Sequence, residues 1–444
     1  MKILQIVADA LGDASYLVIG EGATAVVDPQ RDVRPFLEAA RAHGASIDYV
    51  FETHVHNDYL SGGRELAAIG ARVVAPASSG LEFPHLPLGD GEEVQFGGVG
   101  LKAIAAPGHT YEHTAYIASD ARGKVTGAFT GGALLMAAAG RTDLLGPDHT
   151  AELTRLQWET AQRLRKLLPA STEILPTHGA GSFCSTTGSA LERRGPLSIE
   201  FERNPALSTP TLEAFRAIQL ASAAPIPGYY RYMSPINRKG PRVFGEPPVP
   251  ALLSPDGVQS ALSGGVNVVD VRTRQEFAAA HVNGSVEIEE SGSLLAYAGW
   301  LIPFNAPIVL VTYDRTQAER VAVDLFRIGY EDVRGFLPWA DWIASARPTA
   351  TTPVVDAAQA RTMLEAGAQV IDVRFAYEQD ELPLAGSVRR PIDEMSDWAP
   401  RLAGPALLVC ASGQRATMAA SLLQLAGHDV VALMDGGAGD LQRP

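Results

Sequence analysis

The chain has 444 residues, 46% hydrophobic and 19% charged, which is the composition of a soluble globular protein of roughly three domains. Its formal net charge of −14 argues against nucleic acid or an anionic membrane as a main partner. Only two cysteines occur, Cys184 and Cys410, so a disulfide scaffold is excluded and a reducing cytoplasm is the expected location.

The opening stretch, MKILQIVADALGDASYLVIG, lacks a basic segment ahead of a long apolar core and does not read as a signal peptide. No apolar run approaches the ~20 residues needed to cross a bilayer. SYLVIGEGATAVVDP predicts two strands joined by a glycine-containing turn and closed by Asp28-Pro29. VRPFLEAARAHGA predicts an amphipathic helix that ends at a glycine. SIDYVFETH is a buried strand running into HVHND, which puts His54, His56 and Asp58 at a strand's C-terminal end. GVGLKAIAAPGHT repeats this arrangement at His109, and STEILPTHGAGS repeats it at His178. Potential ligands carried on several loops at the ends of rigid strands are the usual way to build a site on a sheet. Five such residues, three of them in HVHND, point to a metal.

Proline and glycine thicken over residues 225–250, marking a boundary after a first domain of residues 1–245. Beyond it lies an internal repeat. VNVVDVRTRQEFAAAHVNGSVEI is echoed by AQVIDVRFAYEQDELPLAGSVRR, and APIVLVTYDRTQAERVAVDLFRIGYEDV by PALLVCASGQRATMAASLLQLAGHDV. Each copy reads as strand, helix, strand and helix, giving α/β domains at 252–347 and 353–444. In the second copy a strand runs into CASGQRA and then an apolar helix. Cys410 therefore starts a loop at a helix N-terminus, where backbone N–H groups, the helix dipole and Arg415 all favour a thiolate, the form that attacks sulfur.

IDVR, AGS and CASGQRA resemble the rhodanese family of sulfurtransferases. The resemblance implies that Cys410 carries a persulfide and that Ala411, Ser412, Gly413 and Gln414, with Arg415, cradle an anionic substrate. The six-residue loop is similar to that of the sulfur-transferring members rather than the related phosphatases, whose loop is one residue longer. ELPLAGS lacks the family's usual histidine. In the first copy a gapless count from Gly329 and Gly427 puts Thr312 where Cys410 sits, so that copy is expected to be non-catalytic.

Over the first 240 residues, HVHND, PGHT, GRTDLLG and HGAGS resemble the metallo-β-lactamase fold superfamily, which implies an αββα sandwich, and within it the persulfide dioxygenases. The whole order resembles persulfide dioxygenase–sulfurtransferase fusions. That implies one Fe(II) per chain, a low-molecular-weight thiol persulfide as substrate, and sulfite or thiosulfate as sulfur partners. Tyr59 stands where a two-metal relative has a histidine, which disfavours a glyoxalase II-like thioester hydrolase. Gly132, in FTGGALL, stands where the family has a metal-binding Asp. Three arrangements stay open: a His54, His56 and His109 site suited to Zn²⁺ or a weaker Fe²⁺; Asp58 as the substitute carboxylate; or no metal, leaving a sulfur-carrier protein. His178 completes the expected ligand set, and Asp143 is a loop-fixing residue or a conceivable ligand. Cys184 reads as a structural thiol, and the segment YYRYMSPINRKGP as a weak thiol-contact candidate. A homo-oligomer is expected, a dimer by default.

Overall fold

The computed structural model describes residues 1–185, 190–221 and 224–442. Contacts divide the chain into two compact units, Met1–Pro247 with Phe326–Gly329, and Pro248–Leu325 with Tyr330–Pro444.

The first unit contains two six-stranded sheets. One runs Lys2–Ala8, Asp13–Ile19, Thr24–Val27, Tyr49–Phe51, Arg72–Pro76 and Leu86–Leu88. The other runs Gly195–Pro196, Glu173–Pro176, Val125–Gly131, Thr114–Ser119, Val99–Ala105 and Glu93–Phe96. Tyr16, Val27, Phe51 and Val74 of the first meet Leu101, Tyr116, Phe129 and Leu175 of the second in one dry core. Burying side chains of this size is worth about 1.5–3 kcal/mol each, which holds the sheets face to face. Helix Arg34–Ala42 covers the outer face of the first sheet through Phe36 and Ala40. Helix Pro147–Leu167 covers the outer face of the second through Ala161 and Leu164. The central strands TAVV and YVF are therefore covered on both faces and read as continuous apolar runs rather than alternations. The layers are those of an αββα sandwich.

Two core tyrosines anchor the strand ends that lead into the histidine loops. Tyr16 donates from its hydroxyl to the Pro176 carbonyl at 2.7 Å, and Tyr116 to the Glu52 carbonyl at 2.9 Å. A buried phenol needs such a partner, and here each partner lies within two residues of a histidine loop.

The second unit contains two five-stranded parallel sheets of the same topology. The first has the order Ala251–Leu252, Val333–Pro338, Ile308–Thr312, Asn267–Asp270, Val286–Glu287. The second has Val354–Asp356, Val430–Asp435, Ala406–Val409, Val370–Asp372, Ser387–Arg389. The Asp-Val-Arg of each repeat makes the same buried ion pair. Arg272 Nη2 meets Asp270 Oδ2 at 2.6 Å and reaches the Ala280 carbonyl; Arg374 Nη2 meets Asp372 Oδ2 at 2.6 Å and reaches the Leu382 carbonyl. The guanidinium fork thus ties a strand end to the C-terminal end of the following helix.

The copies differ at the strand end that matters. In the second, residues 410–413 separate the strand from helix Gln414–Leu425; in the first, the strand ends at Thr312 and helix Arg315–Arg327 begins three residues on. Thr312 donates from Oγ1 to the Asp314 carbonyl at 3.0 Å, and the Tyr313 amide is taken by Gln317 Oε1 at 2.8 Å. The Tyr313 amide is thus spent on Gln317, and no glycine shapes a loop around Thr312. Among the described residues no helix is long and apolar enough to cross a membrane.

Candidate metal centre and sulfur-transfer loop

The loops that follow strands Tyr49–Phe51, Val99–Ala105 and Glu173–Pro176 bring His54, His109 and His178 together. All three are essentially fully buried, and one ligand atom from each lies within 4.8 Å of the others. In every ring Nδ1 is engaged: His54 with Thr53 Oγ1 at 2.9 Å, His109 with the Arg141 carbonyl at 2.7 Å, His178 with Asp13 Oδ1 at 2.9 Å. That turns Nε2 of each ring toward the other two, the arrangement by which outer partners orient metal-ligating histidines. Among the described residues His109 Nε2 is a buried nitrogen without a partner, and the Nε2 atoms of His54 and His178 stand 3.4 Å apart. Two nitrogens each ~2.0–2.1 Å from one tetrahedral ion are separated by about 3.3–3.4 Å. The residues present therefore fit a metal ion.

Electrostatics agree. Burial first, and then the neighbouring imidazoles, hold His54 well below the ordinary range. Burial and His178 press His109 down to about 3. Both rings are neutral, as ligands must be. His178 is raised to about 10, because Asp58 and Asp13 outweigh its burial, so a metal there competes with a proton. Asp13, buried beside Asp58, is pushed up to about 7.

His56 is placed differently. Its Nε2 faces Asp28 Oδ1 and Glu52 Oε2, each at 3.4 Å, and these carboxylates raise it to about 10 against the effect of burial. Its donor atoms lie within 4.8 Å of those of Asp28 and His54, and of those of Asp58 and His178. Asp58 sits 3.2 Å from His178 Nδ1, and neither of its oxygens accepts a hydrogen bond among the described residues. Tyr59 is fully buried, stacks on His56 with ring centroids 4.3 Å apart, and its hydroxyl lies 3.1 Å from His56 Nε2.

Several contributors escaped the sequence reading. Asp28, at φ 51°, accepts from the Thr53 amide and hydroxyl, each at 2.7 Å, and from Thr177, so it joins two histidine loops. His113 stacks on His54 and accepts from the Gly132 amide at 2.9 Å. Asn237, on helix Tyr230–Lys239, donates to the His56 and Tyr59 carbonyls at 2.9 and 2.8 Å. Its signal was present only as a polar residue in YYRYMSPINRKGP. Asp143 pairs with Arg141 at 2.6 Å, the loop-fixing arrangement. Cys184 is buried, its thiol pushed up by burial, with the Tyr230 hydroxyl 3.8 Å away.

Gly132 is filled from outside. A Cβ there would lie 2.4 Å from His109 Cδ2 and 2.6 Å from Cγ, so the imidazole occupies the space that a side chain would need. Gly132→Asp is accordingly expected to destabilise the metal-free protein by about 1–3 kcal/mol, since His109 must turn to admit it. Urea unfolding in the presence of a chelator measures this.

In the second unit Cys410 is 1% exposed, and the Gly413 amide donates to its Sγ at 3.1 Å. Gly413 has φ +88°, and a Cβ there would lie 2.1 Å from the Met434 carbonyl oxygen, so the loop can close only with glycine. Gln414 reaches Ser291 Oγ at 3.2 Å. Arg415 is paired with Glu378, Nη2 to Oε1 at 2.7 Å. Ala411 and Ser412 are exposed at the loop's rim.

Comparison with known proteins follows the same division. The metallo-beta-lactamase superfamily profile matches residues 9–179, and the rhodanese-like domain profile matches residues 254–336 and 356–443. A hydroxyacylglutathione hydrolase of Acidiphilium cryptum is 39% identical over 110 residues, 24% of this chain and 45% of that protein. One from Cereibacter sphaeroides is 32% identical over 183 residues, 40% of this chain and 67% of that protein. The chain spans 45% and 58% of the length of the first two such relatives. A metallo-beta-lactamase from Staphylococcus aureus subsp. aureus COL shares the fold at a TM-score of 0.69 and 24% identity, covering 76% of this chain and 99% of its own. By residues 9–179 the chain belongs to the metallo-beta-lactamase superfamily, and it carries two rhodanese-like domains after that region.

Proposed function

We propose that this chain removes persulfide sulfur in two ways: its first unit oxidises a low-molecular-weight thiol persulfide to sulfite, and Cys410 transfers sulfane sulfur. The observation that carries this reading is the pairing, on one chain, of a buried convergence of histidine nitrogens with a cysteine whose Sγ accepts from the Gly413 amide of its loop. Both chemistries act on sulfane sulfur. Tyr59, stacked on His56, offers a phenol where two-metal relatives have a histidine, which supports one ion rather than two.

His54, His109 and His178 would hold the ion, with Asp58 adjoining through His178. Bound Fe(II) would supply the redox chemistry with O₂ that neutral side chains cannot. The protein's own part is to fix three imidazoles through Thr53, the Arg141 carbonyl and Asp13, and to keep His54 and His109 unprotonated. The overall change balances as persulfide, O₂ and water giving thiol and sulfurous acid.

The purified chain is expected to hold about one iron and to consume O₂ on addition of glutathione persulfide, with sulfite as product. Elemental analysis and an oxygen electrode check both. A thioester hydrolase is the second reading, favoured by the hydroxyacylglutathione hydrolases named above. It predicts two metals per chain, hydrolysis of S-lactoylglutathione and no O₂ uptake.

A further inference from the structure

Arg415 closes the Cys410 loop, yet its guanidinium does not face an open anion site. Nη2 pairs with Glu378 Oε1 at 2.7 Å and Nη1 with Oε2, while Cζ lies 4.6 Å from the centroid of the Phe375 ring. The two side chains are 9% and 19% exposed, so water screens the pair little. What remains to attract an anion is the set of loop amides and the N-terminus of helix Gln414–Leu425.

An aromatic wall runs beside the pair. Trp300 meets Phe375 at 5.3 Å between centroids, Tyr297 meets Trp300 at 5.7 Å, and Tyr377 meets Phe375 at 6.1 Å. Tyr297 and Trp300 belong to helix Leu294–Leu301 of the first copy. The same copy supplies Ser291, which accepts from Gln414 in the loop itself. Tyr297 is 6% exposed and feels the charges of both Arg415 and Cys410. The cysteine-less copy therefore contributes a surface to the neighbourhood of the sulfur carrier.

We propose that the Cys410 loop selects an organic thiol persulfide as its sulfur donor and discriminates against thiosulfate, with Glu378 setting the charge and Trp300 the fit of the organic group. The inference rests on Cys410 being the sulfur carrier, as proposed above. Thiosulfate brings two negative charges to a cation that is already neutralised, and no organic part for the aromatic wall. The reacting end of a persulfide, S–SH or S–S⁻, brings at most one charge, and its organic arm can lie against Trp300, which is half-buried. In the transfer, the Cys410 thiolate attacks the outer sulfur of R–S–SH. The Sγ–S bond forms as the donor's S–S bond breaks, and RS⁻ leaves with the electron pair and takes up a proton. The sulfane sulfur ends on Cys410 with no net oxidation.

Steady-state transfer to cyanide by the 444-residue chain, with glutathione persulfide and with thiosulfate as donors, tests the proposal. Wild type is expected to show a persulfide-to-thiosulfate ratio of kcat/KM of at least about tenfold. Glu378→Gln is expected to shrink that ratio by about tenfold through better use of thiosulfate. Trp300→Ala is expected to shrink it by a similar factor through a higher KM for the persulfide. A wild-type ratio below one, or a ratio unmoved in both variants, overturns the selectivity. If circular dichroism shows Glu378→Gln unfolded, the wild-type ratio and Trp300→Ala decide. Wild-type protein inactive with either donor overturns the Cys410 reading itself, and this inference with it.

Discussion

Cys410→Ser is expected to lower sulfur transfer by at least about 10³-fold, the scale on which removing a nucleophile acts. Serine keeps the volume and can still accept from the Gly413 amide, now 3.1 Å from Sγ, so the loop should close as before. What it loses is a sulfur atom able to hold a second sulfur, because an unactivated hydroxyl of ordinary acidity does not attack or store sulfane sulfur. Thiocyanate formation measures the rate, and intact-mass spectrometry shows whether the protein takes up sulfur at all. Iron content should be unchanged, since the histidines belong to the other compact unit. Cys184→Ser is the control: that thiol is fully buried and pushed up by burial, so its loss should leave the transfer rate within about twofold. Transfer that survives in Cys410→Ser and falls in Cys184→Ser would reverse the assignment.

The parts of this protein that could be read from the sequence are those governed by local pattern. SIDYVFETH, GVGLKAIAAPGHT and STEILPTHGAGS each place a histidine just past an apolar strand, and the sheets do bring His54, His109 and His178 to one point. The repeat was legible because each copy spends the same Asp-Val-Arg on the same buried ion pair. What stayed hidden depends on contacts between distant segments. Asp28 looked like a turn residue after a strand, and only folding sets it against Thr53 and Thr177. Asn237 clamps the HVHND loop from about 180 residues downstream, on a helix whose sequence says nothing about its target. The loop Arg415 looked like a free positive charge until Glu378 was found to pair with it. His113 lies four residues after His109 and was passed over, because nothing in the spacing distinguishes a ring that supports Gly132 from one that is merely packed.

The same lesson bears on HVHND. Alternation put His54, His56 and Asp58 forward together, and folding shares them among overlapping clusters: His54 with His109 and His178, His54 and His56 with Asp28, and His56 and Asp58 with His178, while His56 Nε2 also faces Glu52. A carboxylate pair next to an imidazole raises its proton affinity and orients it, so a metal at His56 would compete with a proton there. Gly132 follows from the same geometry. Where the superfamily has a side chain at that position, this chain lets the His109 ring occupy the volume, and the Gly132 amide is tied back by His113.

His54→Ala carries the second large effect and separates the three possible metal arrangements. A four-ligand structural zinc site gains about 10–16 kcal/mol in all, so one protein ligand accounts for roughly 3–4 kcal/mol, or 10²–10³-fold in affinity. His54→Ala should therefore leave the purified protein without metal and abolish O₂ uptake with glutathione persulfide, while thiocyanate formation through Cys410 persists. His56→Ala should lower metal affinity by only about tenfold, the size of a supporting interaction, because its ring nitrogen faces Asp28 and Glu52. Metal titration of the apoproteins gives both numbers. If His56→Ala costs as much as His54→Ala, the operative set is His54, His56 and His109, and the His178 ring is the supporting one. If Asp58→Asn is the variant that matches His54→Ala, the substitute carboxylate is Asp58, which must then leave His178 Nδ1, now 3.2 Å away. Metal-free wild type that cannot be reconstituted with Fe(II) or Zn²⁺ would sink all three, leaving Cys410 as the chain's only reactive centre.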